Sequence, residues 1–188
     1  VLAASTWAVL GLTCHIEFFT QAHYRSSIEP DEGLSPLWKD VFLYHWREES
    51  QHAVLDELEW LREDARLDTP RRDAAVGDLI SLVGAVDGLL VQQAAADTEY
   101  FASAAGQSFT ADELAQVGAT LLRAYRHQYI VSGVRDTRFV SVLGSMVNAA
   151  QLERINQALA PLMIEEVFAL IRRLKGFRRI ATRYDKLA

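Results

Sequence analysis

The sequence predicts an all-α protein, and three observations lead to that prediction. Half of the 188 residues are hydrophobic, which is enough for one continuous core. The chain has only four prolines and ten glycines, the two residues that break or weaken helices. Apolar residues recur with a 3.6-residue period, and no strand-like alternation interrupts them. We therefore expect a single helical domain over residues 1–188, with no long linker.

The periodicity predicts four core helices and one additional C-terminal helix. Their approximate limits are 2–27, 36–64, 71–105 and 110–132 for the core helices and 138–175 for the additional one. Ser35 followed by Pro36 predicts the start of the second helix, because serine caps helices and proline suits the first helical position. Thr110 and Glu113 have the spacing of a capping box at the start of the fourth helix. We expect the additional helix to be interrupted near Pro161.

The first helix carries an acid within its inward face. The stripe that predicts this face consists of Ala3, Trp7, Leu10, Cys14, Glu17, Gln21 and Tyr24. On the second helix the inward stripe is expected to contain Leu55, Leu58 and Leu61, and to pass near His45, Glu49 and His52 when projected backwards. Both helices of an antiparallel pair rise about 1.5 Å per residue, so residues at equal sequence distances from the connecting turn lie at the same level. For a turn near residue 32 or 33, this reflection pairs Glu17 with about residue 48. We therefore expect Glu17, Glu49 and His52 to face one another.

These three residue types suit a metal ion. Glu49 and His52 are three positions apart, so they share one face of a helix. A helical bundle can direct such a pair at one ion, while a carboxylate from the neighbouring helix, here Glu17, completes or bridges the site. Carboxylates and imidazole suit iron and manganese.

The same residues resemble those of a known family. His15-Ile-Glu17, with Tyr24 two turns later, and Arg47-Glu-Glu-Ser-Gln-His52-Ala look like the first half of the ferritin-like di-iron carboxylate proteins. The resemblance covers about residues 10–60. It implies a ferritin-like four-helix bundle that binds one or two iron or manganese ions through Glu17, Glu49 and His52. It also implies an iron-dependent oxidoreductase that acts on a small molecule.

The second half of the sequence departs from the family's pattern, because no second Glu-x-x-His occurs. Turn reflection instead suggests Asp87 and His127 as metal ligands. If a crossover joins helices two and three, Gln93 or Asp97 would take the place of Asp87. A lone carboxylate in so apolar a run needs a partner, so the alternative for Asp87 is a contact to Arg126 or Tyr125.

Charge and cysteine content narrow the classes of function. The net charge of −6 gives no basic excess for nucleic acid. No run reaches the roughly 18–20 apolar residues of a membrane helix, and a single cysteine fits a reducing cytoplasm. Residue 1 already lies in a helix-like run, so we expect the natural chain to begin earlier. We also expect a homodimer. The alternatives to an iron oxidoreductase are a metal-free degenerate scaffold or binding module, a heme-oxygenase-like di-metal oxidase, and iron storage.

Overall fold

The chain is all-helical in the computed structural model, which describes residues 3–163, and no strand occurs in that part. The helices are α1 (Thr6–His23), α2 (Pro36–Asp64), α3 (Thr69–Ala104), α4 (Ala111–Arg126), α5 (Ser132–Val134), α6 (Thr137–Met146) and α7, described over residues 149–163. Two π-helical turns, Tyr24–Ile28 and His127–Val131, continue α1 and α4. The predicted all-α class is therefore confirmed. The part of the additional helix predicted beyond residue 163 lies outside the described residues.

Local capping explains where two of the long helices begin. The Ser35 hydroxyl accepts a hydrogen bond from the Trp38 backbone amide at 3.2 Å, so α2 begins where the sequence predicts. The capping box of α4 is also present, because Thr110 and Glu113 each accept a hydrogen bond from the other's backbone amide, at 3.3 Å and 2.8 Å. Both caps satisfy amide groups that a helix start would otherwise leave unpaired.

The additional helix is interrupted at a different place from the predicted one. The break lies at Val147, where the backbone is extended, and Pro161 lies inside α7. Asn148 and Gln151 cause the new start, since each side chain accepts the other's backbone amide at 3.0 Å. This reciprocal arrangement is a capping box built from two amides.

Helix α1 lies at the centre of the packing. It packs against α2 on one side and against α3, α5 and the second π-helical turn on others, while α3 pairs with α4. Within the described residues, α2 makes little or no contact with α3 or α4. The main core cluster joins α1, α2, α3, α6 and α7 through buried side chains such as Trp7, Trp60, Leu79, Phe139 and Ile155.

The predicted inward stripe of α2 is wrong. Leu55 and Leu58 are 58% and 57% exposed, and only Leu61 packs against the core cluster. The face towards α1 instead carries Ala53 and Trp60, which are buried. Helix α2 has apolar residues on two opposite faces, so periodicity alone could not tell which face the rest of the chain covers.

Helix α3 is apolar enough to resemble a membrane span. It is 36 residues long, and an 18-residue window within it has a mean hydropathy of 1.8. Within the described part of the chain, 28% of that window is buried. In the described part of the chain α3 packs against α1 and α4 and contributes Ala75, Val76, Leu79 and Leu82 to the core cluster.

Candidate metal centre

The structure brings three of the five predicted ligands together. Glu17 on α1 and Glu49 and His52 on α2 each offer a ligand atom, and these atoms all lie within 4.8 Å of one another. The two glutamates are partly buried between the helices, and His52 is exposed. The group thus lies at the open edge of the α1–α2 pair.

Contacts one turn away fix the register of this helix pair. The Gln21 side chain donates to the Trp46 carbonyl at 3.2 Å and accepts from the Ser50 hydroxyl at 3.0 Å. The ring of Tyr24 stacks on Trp46 with a centroid distance of 5.3 Å. Glu17 and Glu49 are consequently held at one level, as the turn reflection predicts.

Glu49 is the centre of the hydrogen-bond network. His52 Nδ1 donates a hydrogen bond to Oε2 of Glu49 at 2.8 Å, and His45 Nε2 lies 2.9 Å from Oε1 in an ion-pair contact. Both contacts join residues three or four positions apart on α2. The i, i+4 spacing of His45 and Glu49 on α2 accounts for the second contact.

The two carboxyl groups perturb each other. Burial, the hydrogen bond to Glu49 and that group's negative charge raise the pKa of Glu17 to about 7. Burial alone would raise the pKa of Glu49, but hydrogen bonds from Glu17 and His52 outweigh it and lower that pKa. The hydrogen bond to Glu49 in turn raises the pKa of His52. A proton on Glu17 therefore relieves the repulsion between two close carboxylates.

A divalent cation would relieve the same repulsion. Two carboxylates and one imidazole at this separation are a donor set that fits iron or manganese. An ion at this position would replace the proton that Glu17 and Glu49 share, because carboxylate ligands bind in their deprotonated form. The residues present therefore fit such an ion.

The two remaining predicted ligands lie apart from this group. Asp87 on α3 accepts two hydrogen bonds from Arg126, at 2.6 Å and 2.9 Å, so it has the cationic partner that its apolar surroundings require. His127 is exposed at the start of the second π-helical turn. In the described part of the chain, neither belongs to the group formed by Glu17, Glu49 and His52, which we call the metal-capable group.

The crossover candidates on α3 also have protein partners. Gln93 donates to Asp97 at 2.9 Å, and the other oxygen of Asp97 accepts from the Tyr125 hydroxyl. The Tyr125 bond ties α3 to α4, whereas the Gln93 bond lies within α3. Metal ligation by Gln93 or Asp97 thus has no support from the described contacts.

Two cavities were not foreseen from the sequence. One of about 260 Å³ adjoins the metal-capable group through Glu49 and His45, and its walls are largely aromatic: Phe19, Tyr24, Phe42, Trp46 and Tyr129. The other, of about 390 Å³, lies between α1, α3, α6 and α7 and has a largely apolar lining that includes His15 and Asp87. A cavity forms where helices that are distant in the sequence meet. Its position depends on how those helices pack, and the sequence pattern does not reveal that packing.

The chain matches no family model, no curated protein and no solved structure. The case for a metal centre therefore depends on this chain's own residues and their geometry.

The raised pKa of Glu17 has a consequence for stability in chelator-treated protein. The unfolded chain loses this proton near pH 4.5 and the folded chain near pH 7, so stability from this group is full below pH 4.5 and is lost as the pH rises through 7. We expect Glu17→Gln to remove this loss and to exceed the wild type by about 1 kcal/mol above pH 7, after allowance for solvent screening. Urea unfolding at several pH values measures it. Glu48→Gln, an exposed change of equal charge, should show no such gain, and an unchanged pH profile in Glu17→Gln would contradict the assignment.

Proposed function

We propose that this chain is a ferritin-like protein that binds iron, or manganese, through Glu17, Glu49 and His52. The observation that carries the proposal is the convergence of their ligand atoms within 4.8 Å. Two of these residues form the i, i+3 pair on α2, and the third comes from the same level of α1. This is the arrangement that metal sites in helical bundles use.

The proposal is for one ion at this group. A second ion would need further ligands from α3 or α4, and the acid available on α3, Asp87, is already paired with Arg126. His127 does not belong to the group of ligand atoms that converge. The proposal therefore does not include the second ion of a symmetric di-iron centre.

A small-molecule substrate has a place beside the ion. The aromatic cavity of about 260 Å³ includes Glu49 in its wall, so a small organic molecule there would lie next to the metal. Iron bound by these residues would supply oxygen-dependent redox chemistry, while the cavity would orient the substrate and limit the access of water. We propose oxidation of such a molecule in the cytoplasm as the activity.

A metal-free scaffold is the second candidate, and the contacts of Glu49 with two histidines favour it. His45 and His52 each contact one oxygen of Glu49, at 2.9 Å and 2.8 Å. Together with the proton on Glu17, these contacts give the carboxylates partners without an ion. In this case the site would be a degenerate remnant that only stabilises the α1–α2 pair.

Metal analysis distinguishes the two candidates. We expect the wild type from iron- or manganese-supplemented cells to carry close to one ion per chain, and its melting temperature to rise when metal is returned after chelation. Negligible metal content, together with an unchanged melting temperature on addition of Fe²⁺ or Mn²⁺, would contradict the metal proposal and support the scaffold.

A further inference from the structure

The outer face of α2 carries an apolar stripe that nothing in the described chain buries. It lies opposite the face that contacts α1 and follows alternating intervals of four and three residues. Its members are Leu37, Val41, Tyr44, Glu48, Gln51, Leu55, Leu58 and Arg62. The five apolar ones are between 57% and 75% exposed. Large apolar side chains grouped in this way mark an interaction surface.

The stripe is complementary to itself when it is reversed. Its midpoint lies between Glu49 and Ser50, and every member has a counterpart at the same distance on the other side. In an antiparallel pair of two such helices, Val41 would face Leu58 of the second copy. Tyr44 would face Leu55. Apolar residues would thus meet apolar residues on both sides of the centre, as knobs and holes require.

Charge favours the antiparallel direction over the parallel one. In the antiparallel pair the central Glu48 faces Gln51, whose amide can donate to the carboxylate, and Arg62 at the end faces Leu37. In a parallel pair in register, Glu48 would face Glu48 and Arg62 would face Arg62. Like charges opposite each other are destabilising, so the reversed register is selected.

We propose that a second copy of this chain packs antiparallel along the outer face of α2, forming a twofold dimer. The stripe from residue 37 to residue 62 is about 38 Å long, enough for a continuous helix–helix interface. Twofold pairing of one surface with itself is the commonest symmetry of protein dimers.

The dimer would also close the open side of the metal centre. His45 and His52 lie along one edge of the stripe, and they are 54% and 49% exposed. The reversed register sets His45 of each copy beside His52 of the other, so the second copy would shield this edge from solvent. This consequence rests on the proposed metal function, whereas the pairing of the helices does not.

Sedimentation velocity tests the surface. We expect the wild type to sediment as a dimer and Leu55→Glu as a monomer. Leu89→Glu is the matched control, because Leu89 on α3 is 64% exposed and lies outside the stripe, and this variant should remain a dimer. A monomeric wild type, or a Leu55→Glu variant that remains dimeric, would overturn the proposal.

Disulfide trapping tests the register. Chains with Tyr44→Cys and chains with Leu55→Cys, mixed and oxidised, should form a cross-linked heterodimer, while neither variant alone should cross-link. The native Cys14 is buried and should not interfere. Cross-linking of Tyr44→Cys to itself would indicate parallel pairing and overturn the antiparallel arrangement.

Both experiments are carried out with chelator present and again with Mn²⁺. A dimer that persists in chelator supports the interface whatever the metal content is. A dimer that never binds Mn²⁺ would refute the proposed function alone, and a monomer that binds Mn²⁺ would refute the interface alone.

Discussion

Trp60→Ala is expected to lower the free energy of unfolding by about 3–5 kcal/mol, the usual loss when a large buried aromatic residue is truncated. The Trp60 side chain is fully buried. Its ring lies 5.1 Å from that of Trp7 and stacks on Phe139 at 5.7 Å, centroid to centroid. It also fills the space above Gly11, where a Cβ atom would come within 2.7 Å of the indole. Its removal would therefore open a cavity where α1, α2 and α6 meet.

Urea unfolding followed by circular dichroism measures this loss. Trp38→Ala is the matched control, because it removes the same side chain from the same helix at a site that is 50% exposed. Its effect should be below about 1 kcal/mol. If Trp60→Ala leaves no folded protein, Trp60→Phe provides a milder test. Equal losses in Trp38→Ala and Trp60→Ala would show that Trp60 does not hold the three helices together.

The helices themselves could be predicted from the sequence because their signals are local. Ser35 with Pro36 and Thr110 with Glu113 act within a few residues, and these caps lie where they were expected. Asn148 and Gln151 form a cap of the same kind, but amide pairs are a weaker signal than threonine with glutamate. The helix break was therefore expected at Pro161 instead.

The faces of the helices were harder to predict, because they depend on which partner covers them. Leu55 and Leu58 look like core residues in the sequence, yet Ala53 and Trp60 face α1. The extra apolar face of α2 has no partner within the described chain, and it is the face that we propose for the second copy. A residue that is buried only in an assembly cannot be distinguished from a core residue by periodicity.

In the candidate site, too, the contacts between residues on one helix or across one turn could be predicted, and those that depend on the packing of distant helices could not. Glu49 and His52 are linked by helix geometry, and Glu17 by reflection through one short turn, so their convergence could be derived. The position of Asp87 relative to this group depends on how the α3–α4 pair lies against the α1–α2 pair, and Asp87 has a competing partner on α4. Arg126 is 39 positions away, and its guanidinium takes both oxygens of the Asp87 carboxylate.

Glu49→Gln is expected to abolish metal-induced stabilisation. The change keeps the size of the side chain but removes the negative charge, and it replaces one oxygen by an amide that cannot ligate a cation well. Loss of an outer-shell partner typically weakens metal binding by roughly 10–100-fold, and loss of a direct ligand should weaken it more. With free metal at about 100 times the wild-type Kd, the wild type should gain about 2.7 kcal/mol and the variant almost nothing.

Calorimetric titration with Mn²⁺ and thermal unfolding with and without the ion measure the two quantities independently. Glu48→Gln is the matched control, because it makes the same substitution at the adjacent position, outside the metal-capable group, and in the proposed dimer the new amide can still hydrogen-bond to Gln51 of the second copy. It should bind Mn²⁺ as the wild type does. Equal weakening in both variants would indicate a diffuse attraction of cations to an acidic surface. Selective loss in Glu49→Gln requires a defined site, because only a directed carboxylate distinguishes two neighbouring residues of equal charge.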